Sequence, residues 1–279
     1  MSAQPVTLPA AAVGRLRPLA ELPTASLTAV RGVLTDIDDT LTRDGAIEPA
    51  ALAALQALDH AGVPVIAITG RPAGWSEPFA LAWPVRAIVA ENGGVMLRRD
   101  GTADGDGLQR LFTTDEPTRA EQFRRLAACA AAVLAEVPGA TLADDSPGRL
   151  TDIAIDHSEF RQLDALQIAQ VLEVMRRHGL TATVSSIHVN GWIGEHSKWT
   201  AASWAVPSVL GEAFDPGQWL FIGDSTNDQL LFERLPLTVG VANIARFVPQ
   251  LKAWPAWLTQ AERGAGFAEM AAALLAARG

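Results

Sequence analysis

The sequence predicts an α/β fold in which a doubly wound, Rossmann-like parallel sheet carries an inserted α+β cap domain. Towards both ends of the chain, short apolar runs alternate with helical segments. This alternation is typical of a parallel sheet whose strands are buried on both faces. Between the two regions, strands with alternating polar and apolar residues indicate antiparallel pairing with one face exposed. The two patterns together predict a core and an insert.

The first region of alternation begins at Arg31. Its first helical segment has Pro49 in the first turn and is followed by Gly62, which are start and stop signals of a helix. Apolar runs lie on both sides of this segment and read as buried strands. The pattern predicts strand, helix, strand, short helix and strand over residues 31–37, 48–62, 63–72, 75–83 and 85–94.

The middle of the chain has a different pattern. A strand and turn, a helix, a strand, a helix and an alternating strand segment are predicted over residues 95–107, 118–137, 149–157, 162–179 and 181–194. Half-exposed strands of this kind pair antiparallel and are covered by helices on one face. We therefore predict that residues 96–190 form the inserted cap domain.

The βα alternation then returns. Helix, strand, short helix, short strand and terminal helix are predicted over residues 197–211, 218–225, 227–235, 237–242 and 265–279. The predicted catalytic core is thus formed by residues 29–95 and 191–279. Residues 1–28 are predicted to be a partly loose leader, and they lack the charged and apolar regions of a signal peptide.

Composition excludes some classes of partner. The net charge of −9 disfavours binding to nucleic acid and to anionic membranes. No apolar run reaches the roughly 18 residues of a membrane helix. The one cysteine, Cys129, permits no disulfide within the chain and is predicted to be a buried small residue. We expect a cytoplasmic protein, present as a monomer or a small homo-oligomer.

Four polar clusters follow the predicted core strands or begin the next helix. Ligands of an open parallel sheet bind at the carboxyl ends of its strands. Carboxylates gathered there would raise each other's pKa unless cations compensated their charge. A Mg²⁺ ion together with a lysine would compensate this charge. One or two carboxylates would bind the ion, and water and phosphate oxygens would complete its coordination. The clusters are Asp36–Thr40, Thr69–Arg71, Lys198 and Gly223–Asp228.

The ordered motifs resemble those of a known superfamily. They read DIDDTLT, ITGRP, ENGG, SK and FIGDSTND, and they occur in this order within residues 31–245. Four of these segments, DIDDTLT, ITGRP, SK and FIGDSTND, are similar to the four motifs of the haloacid dehalogenase (HAD) superfamily of phosphohydrolases. The position of the insert resembles a type IIB cap, as in Cof-type sugar phosphatases, sucrose-phosphate phosphatase, mannosyl-3-phosphoglycerate phosphatase and phosphomannomutase.

The resemblance implies catalytic roles for four residues. Asp36 would be the nucleophile that forms an aspartyl-phosphate. Asp38 would protonate the leaving group and then activate water. Thr69 would donate a hydrogen bond to a phosphoryl oxygen, and Lys198 would neutralise the negative charge of nucleophile and phosphoryl group.

The resemblance also implies a Mg²⁺ site. Asp224 would bind the ion together with Asp36 and the backbone carbonyl of Asp38. Asn227 and Asp228 would lie behind these ligands and orient them and the lysine. A divalent cation would thereby make the cluster of carboxylates tolerable.

Five residues are candidates for substrate contacts: Gly70, Arg71, Asn92, His188 and Asn190. Arg71 is either a surface ion-pair residue or a contact to substrate or cap. Asn92 is either a turn former or part of a hinge that touches the leaving group. His188 and Asn190 alternate with Trp192, so they share one strand face, which either points at substrate or is a half-exposed cap surface.

Two positions depart from the family pattern. The residue after Asp38 is often glycine and is Asp39 here, which we expect to face away from the phosphate and to bond to backbone. The residue after Lys198 is often glycine and is Trp199 here, which either narrows the site or packs under the cap. Neither change removes a catalytic atom.

The implied function is that of a Mg²⁺-dependent phosphomonoester hydrolase for a small phosphorylated metabolite, with a sugar phosphate as the leading substrate class. A phosphomutase or phosphotransferase of the same fold is an alternative. A phospho-accepting signalling domain also gathers Asp, Thr, Lys and Mg²⁺. The large insert and the acid two residues after Asp36 oppose that reading, and the intact catalytic set opposes an inactive metal-binding protein.

Overall fold

The structure is a computed structural model that describes residues 16–100 and 107–279. It divides into two compact units. The first contains the described residues up to Thr69, together with Ala82–Ile88 and Lys198–Gly279. The second contains Gly70–Leu81 and the described residues of Val89–Ser197. The insert predicted over residues 96–190 lies within the second unit, and its role as a separate cap stays a prediction.

Strands and helices alternate along the chain as the α/β fold class requires. The described strands are β1 Arg17–Pro18, β2 Gly32–Thr35, β3 Thr42–Arg43, β4 Ala46–Ile47, β5 Val65–Ile68, β6 Ala87–Ala90, β7 Val95–Arg99, β8 Leu108–Phe112, β9 Asp152–Asp156, β10 Thr181–Val184, β11 His188–Trp192, β12 Trp219–Gly223, β13 Leu237–Gly240 and β14 Trp257–Leu258. The described α-helices are α1 Thr24–Thr28, α2 Pro49–His60, α3 Ala73–Ala82, α4 Glu116–Glu136, α5 Ala165–Arg177, α6 Lys198–Leu210, α7 Gln229–Arg234 and α8 Arg263–Ala276.

A parallel sheet forms the core of the first unit. Its strand order is β1-β14-β13-β12-β2-β5-β6, so β2 lies between β12 and β5. Every residue of these three strands is buried, which explains their continuous apolar sequences. Thr35 of β2 is level with Ile222 and Ala67 of its neighbours. The three strands therefore end side by side, and the polar residues that follow them emerge at one edge of the sheet.

An antiparallel sheet of order β10-β11-β9 forms part of the second unit. Helices α4 and α5 pack together and against this sheet. The apolar core between them includes Cys129, Val171, Met175 and Val189, each fully buried. This arrangement agrees with the predicted α+β character, and the burial of Cys129 is confirmed.

The predicted single strand segment at 181–194 is a hairpin of β10 and β11. Its turn is stabilised by the Ser185 hydroxyl, which accepts hydrogen bonds from the backbone N–H groups of Ile187 and His188. Serine side chains stabilise turns in this way, but alternation of polar and apolar residues continued through the turn and concealed it.

The predicted leader differs from expectation in the part that the structure describes. Residues 1–15 lie outside the described residues. From residue 16 onwards, β1 pairs parallel with β14, and Leu19 and Leu27 are buried. A loose segment is therefore the wrong description of residues 16–28, because apolar side chains spaced along it pack into the first unit. Most of the turn predicted before residue 107 also lies outside the described residues.

In residues 16–100 and 107–279, no helix combines the length and the apolar character that crossing a membrane requires.

Candidate active site

Asp36 follows β2 directly and is anchored by that strand. Its backbone N–H donates to the carbonyl of Ile222 at 3.0 Å, which extends the ladder between β2 and β12. Its side chain is 6% exposed. Lys198, the first residue of α6, places Nζ 2.5 Å from Oδ1 of Asp36 and 2.7 Å from Oδ1 of Asp228. The predicted nucleophile and the predicted lysine are thus in direct contact.

The protonation of these groups depends on burial and on charge. Burial raises the pKa of Asp36 to about 7; Lys198 opposes this rise, and Asp228 and Asp38 add to it. Burial lowers the pKa of Lys198, but the carboxylates of Asp228 and Asp36 outweigh it and raise that pKa above its usual value. A buried ammonium therefore stays charged between two carboxylates.

Asp228 shapes the loop after β12. Its Oδ2 accepts hydrogen bonds from the backbone N–H groups of Asp224 at 3.0 Å and Ser225 at 3.1 Å. A Cβ at Gly223 would lie 2.4 Å from that oxygen, so the loop needs glycine there. Both oxygens of Asp228 are occupied by donors, which fits the predicted supporting role. Asn227 accepts a hydrogen bond from the Ser225 hydroxyl at 2.9 Å.

Asp224 has two oxygens in different surroundings. Its Oδ2 accepts hydrogen bonds from Asn243 at 3.2 Å and Arg246 at 3.0 Å. Its Oδ1 is buried and has no hydrogen-bond partner among the described residues. Burial, followed by the charge of Asp36, raises the pKa of Asp224 well above its usual value.

These carboxylates fit a divalent cation. Oxygens of Asp36, Asp224 and Asp228 lie within 4.8 Å of one another, and all three residues are buried. Oxygen donors at this spacing suit Mg²⁺, and the unpartnered Oδ1 of Asp224 needs a partner. Asp36 and Asp224 would hold the ion, since both oxygens of Asp228 already accept hydrogen bonds. A ligand role for the carbonyl of Asp38 stays a prediction.

Asp38 and Thr69 belong to the same unit as this cluster. Asp38 is half-buried, and its charge contributes to the raised pKa of Asp36, so the two carboxylates lie near each other. Thr69 is fully buried directly after β5, the neighbour of β2. Their predicted catalytic roles are consistent with these positions and stay predictions.

Asp39 is bound by two arginines rather than to backbone as expected. Its carboxylate pairs with Arg246 and, at 2.7 Å, with Nε of Arg263. Its φ of 56° lies in the left-handed region, which glycine favours and aspartate tolerates. Trp199 packs edge-on against Phe214, with ring centroids 5.5 Å apart, which favours a packing role.

In the second unit, Gly70, Asn92 and Asn190 lie close together. The side-chain amide of Asn190 donates to the carbonyl of Gly70 at 3.2 Å. A Cβ on Gly70 would lie 3.2 Å from Asn190 Oδ1 and from Asn92 Nδ2. Asn92 has a φ of 53°, a conformation that suits a turn former. Three of the five candidate substrate residues therefore share one small polar region.

Arg71 forms a buried ion pair, not a surface one. Its side chain is 4% exposed, and its guanidinium donates to Glu159 at 2.7 Å and to Asp145 at 3.2 Å. Glu159 also contacts Nε2 of His188 at 2.9 Å. His188 and Asn190 are fully buried, which contradicts the half-exposed surface considered for their strand. Their neighbours are charged groups that the sequence does not place nearby.

A second buried ion pair lies beside Asn190. Arg149 donates to both oxygens of Asp152, at 2.8 and 3.0 Å, and Asn190 donates to the same carboxylate at 3.1 Å. Burial raises the pKa of Asp152 to about 7 although Arg149 opposes the rise. Sequence reasoning missed this pair. The available signal was the spacing of Arg149 and Asp152, three residues apart at the start of β9.

Comparison with known proteins supports the resemblance. Residues 33–110 match the family described as haloacid dehalogenase-like hydrolases. No curated protein matches the chain. Among solved structures, a haloacid dehalogenase-like hydrolase from Bacteroides thetaiotaomicron has a TM-score of 0.60 at 15% identity, covering 87% of this chain and 98% of its own.

Two further structures have the same fold. The sucrose-phosphatase from Synechocystis, solved with sucrose and phosphate, has a TM-score of 0.61 at 17% identity, covering 88% of this chain and 98% of its own. The C-terminal domain of trehalose-6-phosphate phosphatase from C. albicans has a TM-score of 0.63 at 14% identity, covering 94% of this chain and 98% of its own. Residues 33–110 therefore carry the signature of haloacid dehalogenase-like hydrolases, and the chain has the fold of that superfamily.

Proposed function

We propose that this protein is a Mg²⁺-dependent phosphomonoester hydrolase that works through an aspartyl-phosphate intermediate. The observation that carries the proposal is the buried Lys198, which bridges Asp36 and Asp228 beside the unpartnered Oδ1 of Asp224. The contact supports the proposal because Asp36 follows a parallel strand directly and lies against a buried ammonium, which a phosphoryl-accepting carboxylate needs nearby. Bound Mg²⁺ would supply charge neutralisation for the phosphoryl group and would lower the pKa of Asp36.

The first half-reaction transfers the phosphoryl group to the protein. A carboxylate oxygen of Asp36 attacks phosphorus, and the bond from phosphorus to the leaving-group oxygen breaks. The proton carried by Asp38 passes to that oxygen, so that an alcohol leaves. Lys198 stabilises the negative charge on the phosphoryl oxygens, and the Thr69 hydroxyl donates to one of them.

The second half-reaction restores the nucleophile. A water molecule attacks phosphorus of the acyl phosphate, and its proton passes to the Asp38 carboxylate. The bond between phosphorus and Asp36 breaks, so that inorganic phosphate leaves and both aspartates return to their initial states. The two-step route replaces one difficult displacement by two easier ones.

A sugar phosphate is the proposed substrate class. The sucrose-phosphatase and the trehalose-6-phosphate phosphatase, whose fold this chain shares, support it by their substrates. We propose Gly70, Arg71, Asn92, His188 and Asn190 as substrate contacts. Of these, His188 and Asn190 belong to the insert over residues 96–190, which we propose to be a cap. We propose a cytoplasmic monomer or small homo-oligomer that needs no nucleic acid or membrane.

A phosphate-release assay tests the proposal. Wild-type protein and Asp36→Asn are incubated with phosphorylated sugars, polyols, nucleotides and glycerates, each with Mg²⁺ and with a chelator. We expect Mg²⁺-dependent release from a narrow group of sugar phosphates. Asp36→Asn should lower the rate by about 10³-fold or more, because the amide is a poor nucleophile.

Two outcomes would contradict the proposal. Near-normal release by Asp36→Asn would exclude Asp36 as the nucleophile. Transfer of the phosphoryl group to an added sugar without release of phosphate would identify the phosphomutase alternative. Asp144→Asn, which alters an exposed carboxylate, is the matched control and should keep the wild-type rate.

A further inference from the structure

Asp224 offers only one oxygen to a cation. Its Oδ2 accepts two hydrogen bonds, from Asn243 Nδ2 and Arg246 Nη2, whereas its buried Oδ1 has no partner in the part of the chain that the structure describes. The two donors occupy both lone-pair sites of Oδ2, so a cation bound by both oxygens would have to displace at least one of these hydrogen bonds. The surroundings of Asp224 therefore favour one-oxygen ligation.

Asp39 holds both of these donors in place. Nη2 of Arg246 bridges the carboxylates of Asp39 and Asp224, and Asn243 Nδ2 donates to the backbone carbonyl of Asp39 at 2.9 Å. Arg263 pairs with the other oxygen of Asp39. We use the name Asp224 clamp for the group of Asp39, Asn243 and Arg246.

We propose that the Asp224 clamp makes the cation site selective for Mg²⁺ over Ca²⁺ by keeping Asp224 a one-oxygen ligand. Mg²⁺ demands a near-ideal octahedron and keeps several waters, whereas Ca²⁺ takes six to eight oxygens and accepts both oxygens of one carboxylate. Blocking Oδ2 therefore costs Ca²⁺ a ligand and costs Mg²⁺ nothing. The inference rests on the proposed function, since it requires Asp224 to bind a divalent cation.

Charge and geometry have different effects on the two ions. Removing the guanidinium of Arg246 removes a positive charge, which strengthens binding of every divalent cation. It also removes one of the two hydrogen bonds to Oδ2, which benefits Ca²⁺ alone. The ratio of the two dissociation constants isolates the second effect. Arg263 provides a matched control, because its guanidinium has the same charge and pairs with Asp39 rather than with Asp224.

Isothermal titration calorimetry of the full chain with MgCl₂ and with CaCl₂ tests the proposal without substrate. Wild type, Arg246→Met, Arg263→Met and Asp224→Asn are compared, and circular dichroism verifies that each variant is folded. In Arg246→Met we expect Ca²⁺ binding to tighten by about tenfold more than Mg²⁺ binding, through the added oxygen ligand. In Arg263→Met both constants should change by similar factors.

The clamp would be overturned, with the cation site left in place, if Arg246→Met left the ratio of the Ca²⁺ and Mg²⁺ dissociation constants unchanged. The same conclusion would follow if Arg263→Met changed that ratio as much as Arg246→Met does. Asp224→Asn should weaken both ions strongly, and normal binding by it would overturn the clamp. Absence of any cation binding by wild type would overturn the Mg²⁺ site and the clamp together. Asp39→Asn, which keeps Arg246 but weakens its anchor, should shift the ratio in the same direction by a smaller factor.

Discussion

Lys198 illustrates how single residues determine the chemistry of the candidate site. Its ammonium lies between Asp36 and Asp228, with 1% of its side chain exposed. Burial of an unpaired charge would be strongly unfavourable, so the two carboxylates are needed to keep the lysine protonated. The same contacts orient the Asp36 side chain, whose backbone N–H is held by the carbonyl of Ile222. The same contacts therefore keep Lys198 protonated and hold the Asp36 carboxylate in position.

Substitution of Asp38 tests acid–base catalysis. Asp38→Asn removes the transferable proton but keeps the size of the side chain, so both half-reactions should slow by about 10²–10⁴-fold. Rapid-quench kinetics with a sugar phosphate would separate formation of the phosphoryl-protein from its hydrolysis. Unchanged rates for both steps would remove Asp38 as the acid and base.

Glu159 predicts a pH dependence of stability. Burial raises its pKa, but contacts with His188 and Arg71 outweigh this and lower the pKa from 4.5 to about 2. A lowered carboxyl pKa stabilises the fold at pH values above the ordinary pKa of glutamate. This stabilisation is lost as the pH falls towards 2. Glu159→Gln should therefore reduce the free energy of unfolding by roughly 1–3 kcal/mol at pH 6 and by about half as much or less at pH 3.

Urea unfolding of both proteins across this pH range measures the difference. Glu121→Gln is the control, since Glu121 forms an exposed ion pair with Arg124 and should have little effect at any pH. A Glu159→Gln penalty that is equally large at pH 3 and pH 6 would show that packing, rather than charge, is responsible.

At the scale of elements, a buried carboxylate joins separate segments of the second unit. Glu91, at the end of β6, is fully buried and accepts hydrogen bonds from backbone N–H groups of Ala73, Leu150 and Thr151 and from the Thr151 hydroxyl. A Cβ at Gly94 would lie 2.0 Å from that hydroxyl, so the loop and the segment are in close contact. The start of α3 is therefore tied to the segment before β9.

Glu91→Gln tests this junction. Glutamine keeps one acceptor oxygen but turns an amide donor towards backbone donors, which leaves buried groups unsatisfied. We expect a loss of about 2–4 kcal/mol in the free energy of unfolding, measured by urea titration at pH 7. Glu173→Gln, at an exposed site of α5, should be neutral. A loss below about 0.5 kcal/mol in Glu91→Gln would contradict a structural role for this carboxylate.

At the scale of the whole molecule, bound cation should stabilise the fold. A ligand that binds only the native state adds about 2.7 kcal/mol at one hundred times its dissociation constant. Saturating Mg²⁺ should therefore raise Tm by about 5 °C, and a chelator should reverse the rise. Differential scanning calorimetry of wild type and Asp224→Asn, each with and without Mg²⁺, makes the comparison. An equal Mg²⁺ shift in both proteins would exclude Asp224 as a ligand.

The sequence by itself determined the fold class and the order of the motifs. Wholly apolar runs such as those of β2, β5 and β12 require burial on both faces, and that requirement is visible without coordinates. Because parallel strands end at one edge of a sheet, the sequence also predicted that Asp36 and Asp224 meet. Their closeness is confirmed, together with that of Lys198.

Only the tertiary structure decided which charges neutralise one another. Arg246 contacts Asp39 and Asp224, which lie 207 and 22 positions before it in the chain, and Arg71 pairs with Glu159, 88 positions after it. The β10–β11 turn and the packing of residues 16–28 were likewise missed. The pattern of polar and apolar residues along a helix or strand indicates which of its faces is buried. The partner of a buried charge, in contrast, comes from a distant segment that only folding brings close. The selectivity proposed for Asp224 follows from such partners and has no signal in the order of the motifs.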